Sequence, residues 1–117
     1  MKTIIHVDNS EFFRKNMKTF LEAEGFEVES YESAQDANMA IGGGVASMVI
    51  IGLTFSDIEG EKFLGRIIDS FSGPVAVVSS SMDAKKAKEL IDMGAKAAIS
   101  KSSSWQIALK SHLAALK

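Results

Sequence analysis

Ile4-Ile5-His6-Val7-Asp8-Asn9-Ser10 sets how the rest of this chain is read. A mostly β-branched, largely apolar run breaks abruptly into an acid, an amide and a hydroxyl. Continuous rather than alternating apolarity is the pattern of a strand covered on both faces. Ser10 is then a helix N-cap for Glu11 to Glu24, where Phe13, Met17, Phe20 and Leu21 recur at helical spacing and Gly25 follows as the C′ residue. A buried strand that feeds a helix through a short polar corner is one βα unit.

The same unit recurs. Val45 to Leu53 and Pro74 to Val78 are apolar runs of the same kind, and Phe26 to Ser30 and Lys96 to Ser100 are weaker strand candidates. Phe26-Glu27-Val28-Glu29 alternates, as an edge strand covered on one face does. Ser33-Ala34-Gln35-Asp36 opens the second helix as a capping box with Asp in the place of Glu or Gln. Glu61 to Phe71 carries Phe63, Leu64, Ile67 and Ile68 on one stripe. Asp83 caps Ala84 to Met93, with Ala87, Leu90 and Ile91 inward and Gly94 as the stop, and Ser104 caps a last helix whose apolar face is Ile107, Ala108, Leu109, Leu113 and Leu116. Strands alternating with helices predict one α/β domain over residues 1–117, with a parallel sheet and right-handed crossovers.

Composition narrows the chemistry. The chain has 117 residues, 46% hydrophobic and 24% charged, which suits one folded core and argues against disorder. Its 13 basic and 15 acidic residues leave a formal charge of −2 with no basic cluster, so nothing draws it to nucleic acid. Without cysteine there are no disulfides, thiolate nucleophiles or cysteine-ligated metal centres. The apolar stretch after Met1 is too short for a signal peptide, and no run approaches the roughly 20 residues of a membrane span. The expectation is a cytoplasmic domain without membrane contact.

In an open parallel sheet, ligands bind beyond the carboxyl ends of the strands, near the switch point in strand order. That rule selects Asp8 and Asn9 after the first strand and Gly52 to Thr54 after the third. It also selects Ser79 and Ser80 after the fourth and Lys101 after the fifth.

These positions resemble the receiver domain of two-component response regulators. The resemblance covers essentially the whole chain: Val7-Asp8-Asn9-Ser10, Gly25-Phe26-Glu27-Val28, Pro74-Val75-Ala76-Val77-Val78-Ser79, and Gly94-Ala95-Lys96 with Lys101 beyond it. It implies a flavodoxin-like (βα)5 three-layer sandwich with a five-stranded parallel sheet of order 2-1-3-4-5. In that family an acidic pair and an aspartate at the end of strand three hold Mg²⁺, and that aspartate accepts a phosphoryl group. A Ser or Thr and a Lys then contact the phosphoryl oxygens. By the resemblance Asp8 matches the first acid, Asn9 the second, Ser79 the hydroxyl and Lys101 the lysine. Thr54 falls where a backbone carbonyl ligates the metal. The acceptor position is Gly52, which has no side chain to phosphorylate.

Further departures follow. Ala98 stands where the family has a coupling aromatic, and Ser102 and Ser103 replace the proline and aromatic that follow the lysine, so a trans bond and a rebuilt loop are expected before Trp105. With Asp8 the sole remaining acid, Mg²⁺ is expected to bind weakly at Asp8 or not at all, and no cofactor is expected. The resemblance thus implies a pseudo-receiver: a non-enzymatic signalling module in a phosphorelay-type pathway that works by protein contact. The family's partner face places Lys85, Lys86, Lys88, Glu89, Ala98, Ser100 and Trp105 on this chain's fourth helix, fifth strand and fifth helix; a homodimer is left open. Two alternatives stand beside it. One is a small-molecule or anion sensor using Lys101 and Ser79, and the other is phosphorylation at a substitute acid such as Asp57.

Other features have plain readings. Lys101 is expected to pair with Asp8, since unit charges about 4 Å apart attract by roughly 4 kcal/mol at an effective dielectric of 20, before desolvation. Gly42-Gly43-Gly44 closes a helix rather than opening one, which marks a flexible connection and not a phosphate loop. His6 reads as a satisfied core histidine, and His112 is too far along the chain to suggest a metal pair. Ser79-Ser80-Ser81 lacks the turn and the His–acid partners of a nucleophilic serine.

Overall fold

The structure, a computed structural model that describes residues 2–117, alternates strand and helix throughout. The elements are β1 (Thr3–Val7), α1 (Glu11–Ala23), β2 (Glu27–Tyr31), α2 (Ala34–Gly42), β3 (Met48–Ile51), α3 (Gly60–Ser70), β4 (Val75–Ser79), α4 (Ala84–Met93), β5 (Ala97–Ser100) and α5 (Trp105–Ala114). All strand pairs are parallel and the order is β2-β1-β3-β4-β5, as expected for a flavodoxin-like (βα)5 sandwich.

Strand alternation sorts the apolar residues into two layers. Ile5, Val7, Val49, Ile51, Val75 and Val77 pack under α2, α3 and α4, against Ala37, Phe63, Leu64 and Leu90. Ile4, Met48, Ile50, Ala76 and Val78 pack under α1 and α5, against Phe13, Met17, Trp105 and Leu109. Burial on both faces explains why β1, β3 and β4 are continuously apolar. β2 is an edge strand and keeps its exposed glutamates.

Local signals account for most helix ends. Ser10, Ser33 and Asp83 accept hydrogen bonds from the backbone N–H of Phe13 (3.2 Å), Asp36 (3.2 Å) and Lys86 (2.7 Å). At the other ends Gly25 and Gly94 take φ of +95° and +120°, the stops expected of them. α3 begins on Gly60 because any Cβ there collides with the backbone of Leu53.

Four expectations need correction. β3 is shorter than Val45 to Leu53, because its ladder starts only at the Ile4–Met48 and Val49–Val75 pairs, which leaves Val45 exposed. Ser104 flanks α5 without capping it; its hydroxyl lies 3.2 Å from that of Ser102. α5 buries Trp105, Leu109 and Leu113, one turn apart, so Ile107 and Ala108 face outward, and on α4 only Leu90 is fully buried while Ile91 is 45% exposed. A stripe anchored by the large Trp105 ring rotates α5 away from the face read from Ile107.

Candidate functional site

The carboxyl ends of the strands are stitched together one residue beyond the ladder. Asp8 N–H donates to the Tyr31 carbonyl (3.0 Å), Gly52 N–H to that of Val7 (2.9 Å), and Lys101 N–H to that of Ser79 (3.0 Å). This brings Asp8, Asn9, Gly52, Thr54, Ser79 and Lys101 around one cleft of about 340 Å³, with Ser10, Leu53 and Ser80 completing its wall. All eight of the strand-end positions selected from the sequence, Asp8, Asn9, Gly52 to Thr54, Ser79, Ser80 and Lys101, converge there.

Asp8 is fully enclosed, at 1% exposure, and every polar atom of it has a neighbour. Oδ1 accepts from the Ser10 N–H at 2.9 Å, and the Asp8 carbonyl accepts from Arg14 Nη1 at 2.5 Å. Oδ2 lies 2.9 Å from the Lys101 ammonium. That contact is an ion pair off the line of a hydrogen bond, for Oδ2 has no hydrogen-bond donor in good geometry. The expected Asp8–Lys101 pair is therefore present. The same ammonium sits 4.3 Å from the centre of the Phe13 ring, a cation–π contact that the sequence reading did not foresee. Phe13 reads from the sequence only as one more position of a core stripe.

Gly52 completes the arrangement. A Cβ at this position would lie 2.8 Å from Asp8 Oδ2 and 3.3 Å from its Cγ. The Asp8 carboxylate thus stands in the space that a side chain at 52 would enter. Ser79 is buried, and its hydroxyl accepts from the Ser81 N–H at 3.2 Å, leaving its own proton free to donate into the cleft. Asn9 and Thr54 are exposed on the rim. Among the described residues, no three His, Cys, Asp or Glu side chains cluster as a metal site. None of the described peptide bonds is cis, so the one after Lys101 is trans.

Beneath the site lies His6, at 1% exposure, with its ring edge-on to Phe13 at 5.9 Å. Its Nδ1 has no hydrogen-bond partner, so the expectation of a satisfied core histidine is corrected. Burial lowers its pKa to about 4; Asp8 opposes that shift, while Lys101 and Arg14 add to it.

Two groups of predicted residues fare differently. Asp57 does not line the cleft. Its carboxylate turns to the N-terminus of α2 and accepts from the Gln35 N–H at 2.9 Å. On the α4–β5–α5 side Lys85, Lys88 and Glu89 are exposed, and Ala98 and Ser100 are half-buried. Lys86 is tied to Glu61 of α3 at 2.5 Å. Trp105 does not belong to that surface: its ring is 8% exposed and packs on Phe13 (5.0 Å) and Phe20 (5.3 Å). A large ring at the head of α5 closes the α1–α5 seam, burying its apolar body there instead of presenting it to a partner.

The cleft at the carboxyl end of a 2-1-3-4-5 parallel sheet defines the class as a flavodoxin-like α/β domain, and the comparisons narrow it further. The family model of the response regulator receiver domain matches residues 4–112; the chain belongs to that family and is a receiver domain of two-component signalling. Its fold is similar to that of a CheY-like response regulator receiver domain protein from Methanospirillum hungatei JF-1, with 22% identity, a TM-score of 0.86 and coverage of 99% of this chain and 94% of that one. A two-component response regulator from Clostridium difficile matches with 16% identity, a TM-score of 0.88 and coverage of 99% and 95%. The BeF3-activated N-terminal receiver domain of RstA from Klebsiella pneumoniae matches with 16% identity, a TM-score of 0.88 and coverage of 99% of both chains. No curated protein matches the chain. No helix among the described residues is long and apolar enough to cross a membrane.

Proposed function

We propose that this receiver domain is a pseudo-receiver, which signals through protein contacts and is not phosphorylated at the usual position. One observation carries the reading: residue 52 is glycine, and the Asp8 carboxylate fills the place of its missing side chain while paired to Lys101. Without a carboxylate at 52 there is no oxygen nucleophile at the end of β3 to take a phosphoryl group. Asp57 offers no substitute there, because it faces α2.

The residues present do not fit a magnesium ion. Mg²⁺ dehydrates reluctantly and is held by one or two carboxylates with waters and substrate phosphates. Here the one buried carboxylate already carries an ammonium counter-charge, and Asn9 supplies only a neutral amide. Receiver domains are generally signalling modules rather than enzymes, and the exposed Lys85, Lys88, Glu89 and Ile91 on α4 offer a mixed polar and apolar surface to a protein partner. The anion-sensor alternative is weaker, since the positive charge of Lys101 is neutralised by Asp8 and the cleft carries no net charge from that pair.

Incubation with acetyl phosphate and Mg²⁺ followed by intact-mass measurement tests this reading. The expected result is no added phosphoryl mass; stoichiometric addition overturns it.

A further inference from the structure

We infer that Lys101 is the resident cation of this site: its ammonium takes the place of a divalent ion at Asp8 and keeps such ions out. The inference rests on the reading of residue 52 given above, because only a glycine there lets the Asp8 carboxylate occupy its present position.

Three contacts hold the ammonium in place. Asp8 Oδ2 lies 2.9 Å from Nζ, the Phe13 ring centre lies 4.3 Å away, and the lysine backbone N–H is fastened to the Ser79 carbonyl at 3.0 Å. The carboxylate is fastened in turn through Oδ1 to the Ser10 N–H. Lys101 is 19% exposed and Asp8 1%, so the charges meet at the mouth of a buried pocket, where screening by water is weak. A metal ion entering here must displace an ammonium already touching its only carboxylate. It must also leave that ammonium close by, a like charge that lowers affinity again. A fixed side chain has no concentration and no dissociation step. Its neutralisation of Asp8 is therefore the same at every level of divalent ion, and the strand ends stay in one charge state.

The consequence is specific: removing the ammonium while keeping the carboxylate uncovers a latent cation site. Trp105 is the only tryptophan and packs 5.0 Å from Phe13, so its emission reports on the neighbourhood of Lys101. Wild-type protein and Lys101→Met, Lys101→Arg and Asp8→Asn/Lys101→Met variants are titrated with MgCl2 against NaCl of equal ionic strength, following Trp105 emission and the melting midpoint. The wild type and Lys101→Arg are expected to show no Mg²⁺-specific response. Lys101→Met is expected to show a saturable millimolar response, at least about tenfold tighter than any seen with the wild type, and the double variant is expected to lose it.

A saturable Mg²⁺ response in the wild type overturns the inference, as does none in folded Lys101→Met. If Lys101→Met folds only with MgCl2 present, the inference is supported; failure to fold in both salts overturns it. Failure here leaves the mass measurement of the previous subsection untouched, and added phosphoryl mass in that measurement would sink the pseudo-receiver reading by itself.

Discussion

Gly52 and Asp8 are a single feature: a Cβ on residue 52 would come within 2.8 Å of Asp8 Oδ2, so the absent side chain and the position of the carboxylate imply one another. The oxygen concerned is also the one that faces Lys101. Restoring a side chain at 52 therefore disturbs the ion pair as well as the packing.

Gly52→Ala is accordingly expected to lower stability by about 1–3 kcal/mol, the usual range for overpacking a closed site. Chemical denaturation measures it. Shortening the clashing group relieves the strain, so Gly52→Ala in an Asp8→Ala background costs less than in the wild type, and a double-mutant cycle shows positive coupling. Additive effects would mean that the two residues do not compete for space. Gly52→Asp adds a second carboxylate beside Asp8; its melting midpoint falls without Mg²⁺ and recovers when Mg²⁺ is added.

The Asp8–Lys101 pair is asymmetric, and so are its mutants. Lys101→Met leaves a carboxylate of 1% exposure without its counter-charge and is expected to cost about 3–5 kcal/mol in the absence of divalent ions. Asp8→Asn leaves an ammonium that is 19% exposed and free to turn to water, and is expected to cost less than about half of that. Equal losses in the two denaturation curves would contradict the asymmetry.

His6 sets part of the acid limit. Its pKa is about 4 in the folded chain and 6.5 when exposed, so between these values the unfolded state binds more protons. Stability from this group is complete above about pH 6.5 and is lost as pH falls toward 4, by about 3 kcal/mol in all. His6→Leu is expected to flatten that part of the stability–pH curve relative to the wild type. The carboxylates, common to both proteins, cancel in the difference.

Asp57 belongs to α2 rather than to the cleft. Asp57→Ala removes the acceptor for the Gln35 N–H and is expected to cost about 1 kcal/mol, the typical value of a helix-terminal acceptor. Mg²⁺ response and Trp105 emission should be unaltered, since Asp57 does not line the cleft. A changed emission would place Asp57 closer to the site than its hydrogen bond implies.

Much of the site was legible because it sits at strand ends. Once Ile4 to Val7, Pro74 to Val78 and Lys96 to Ser100 are read as parallel strands, the topology alone gathers Asp8, Ser79 and Lys101 at one edge. Their pairing then follows from opposite charges in an enclosed place. Phe13 beneath Lys101, Arg14 on the Asp8 carbonyl and Asp57 on α2 carry no such signal. Each depends on where a side chain points after the layers have packed, and an amphipathic stripe specifies a face rather than a neighbour. The misread face of α5 has the same origin: Trp105 and Ile107 are both apolar, and only the fit of one ring against Phe13 and Phe20 decides which turns inward.

The order of elements, the strand order that follows from family resemblance, the cap residues of α1, α2 and α4, and the loss of a carboxylate at residue 52 are all properties of the sequence by itself. The strand order is what the resemblance implies; the others rest on local periodicity, on backbone donors near in the chain, and on the chemistry of one residue type. The Asp8–Lys101 pair was legible as well, and only the tertiary structure decided that Asp8 Oδ2 fills the space beside Gly52 and that the pair sits over the Phe13 ring. Asp8 and Lys101 are 93 positions apart (101 − 8) and meet at 2.9 Å, over a ring from a third segment. Such a contact is set by sheet register and by competition for one enclosed volume, and neither quantity is written in any local stretch of the chain.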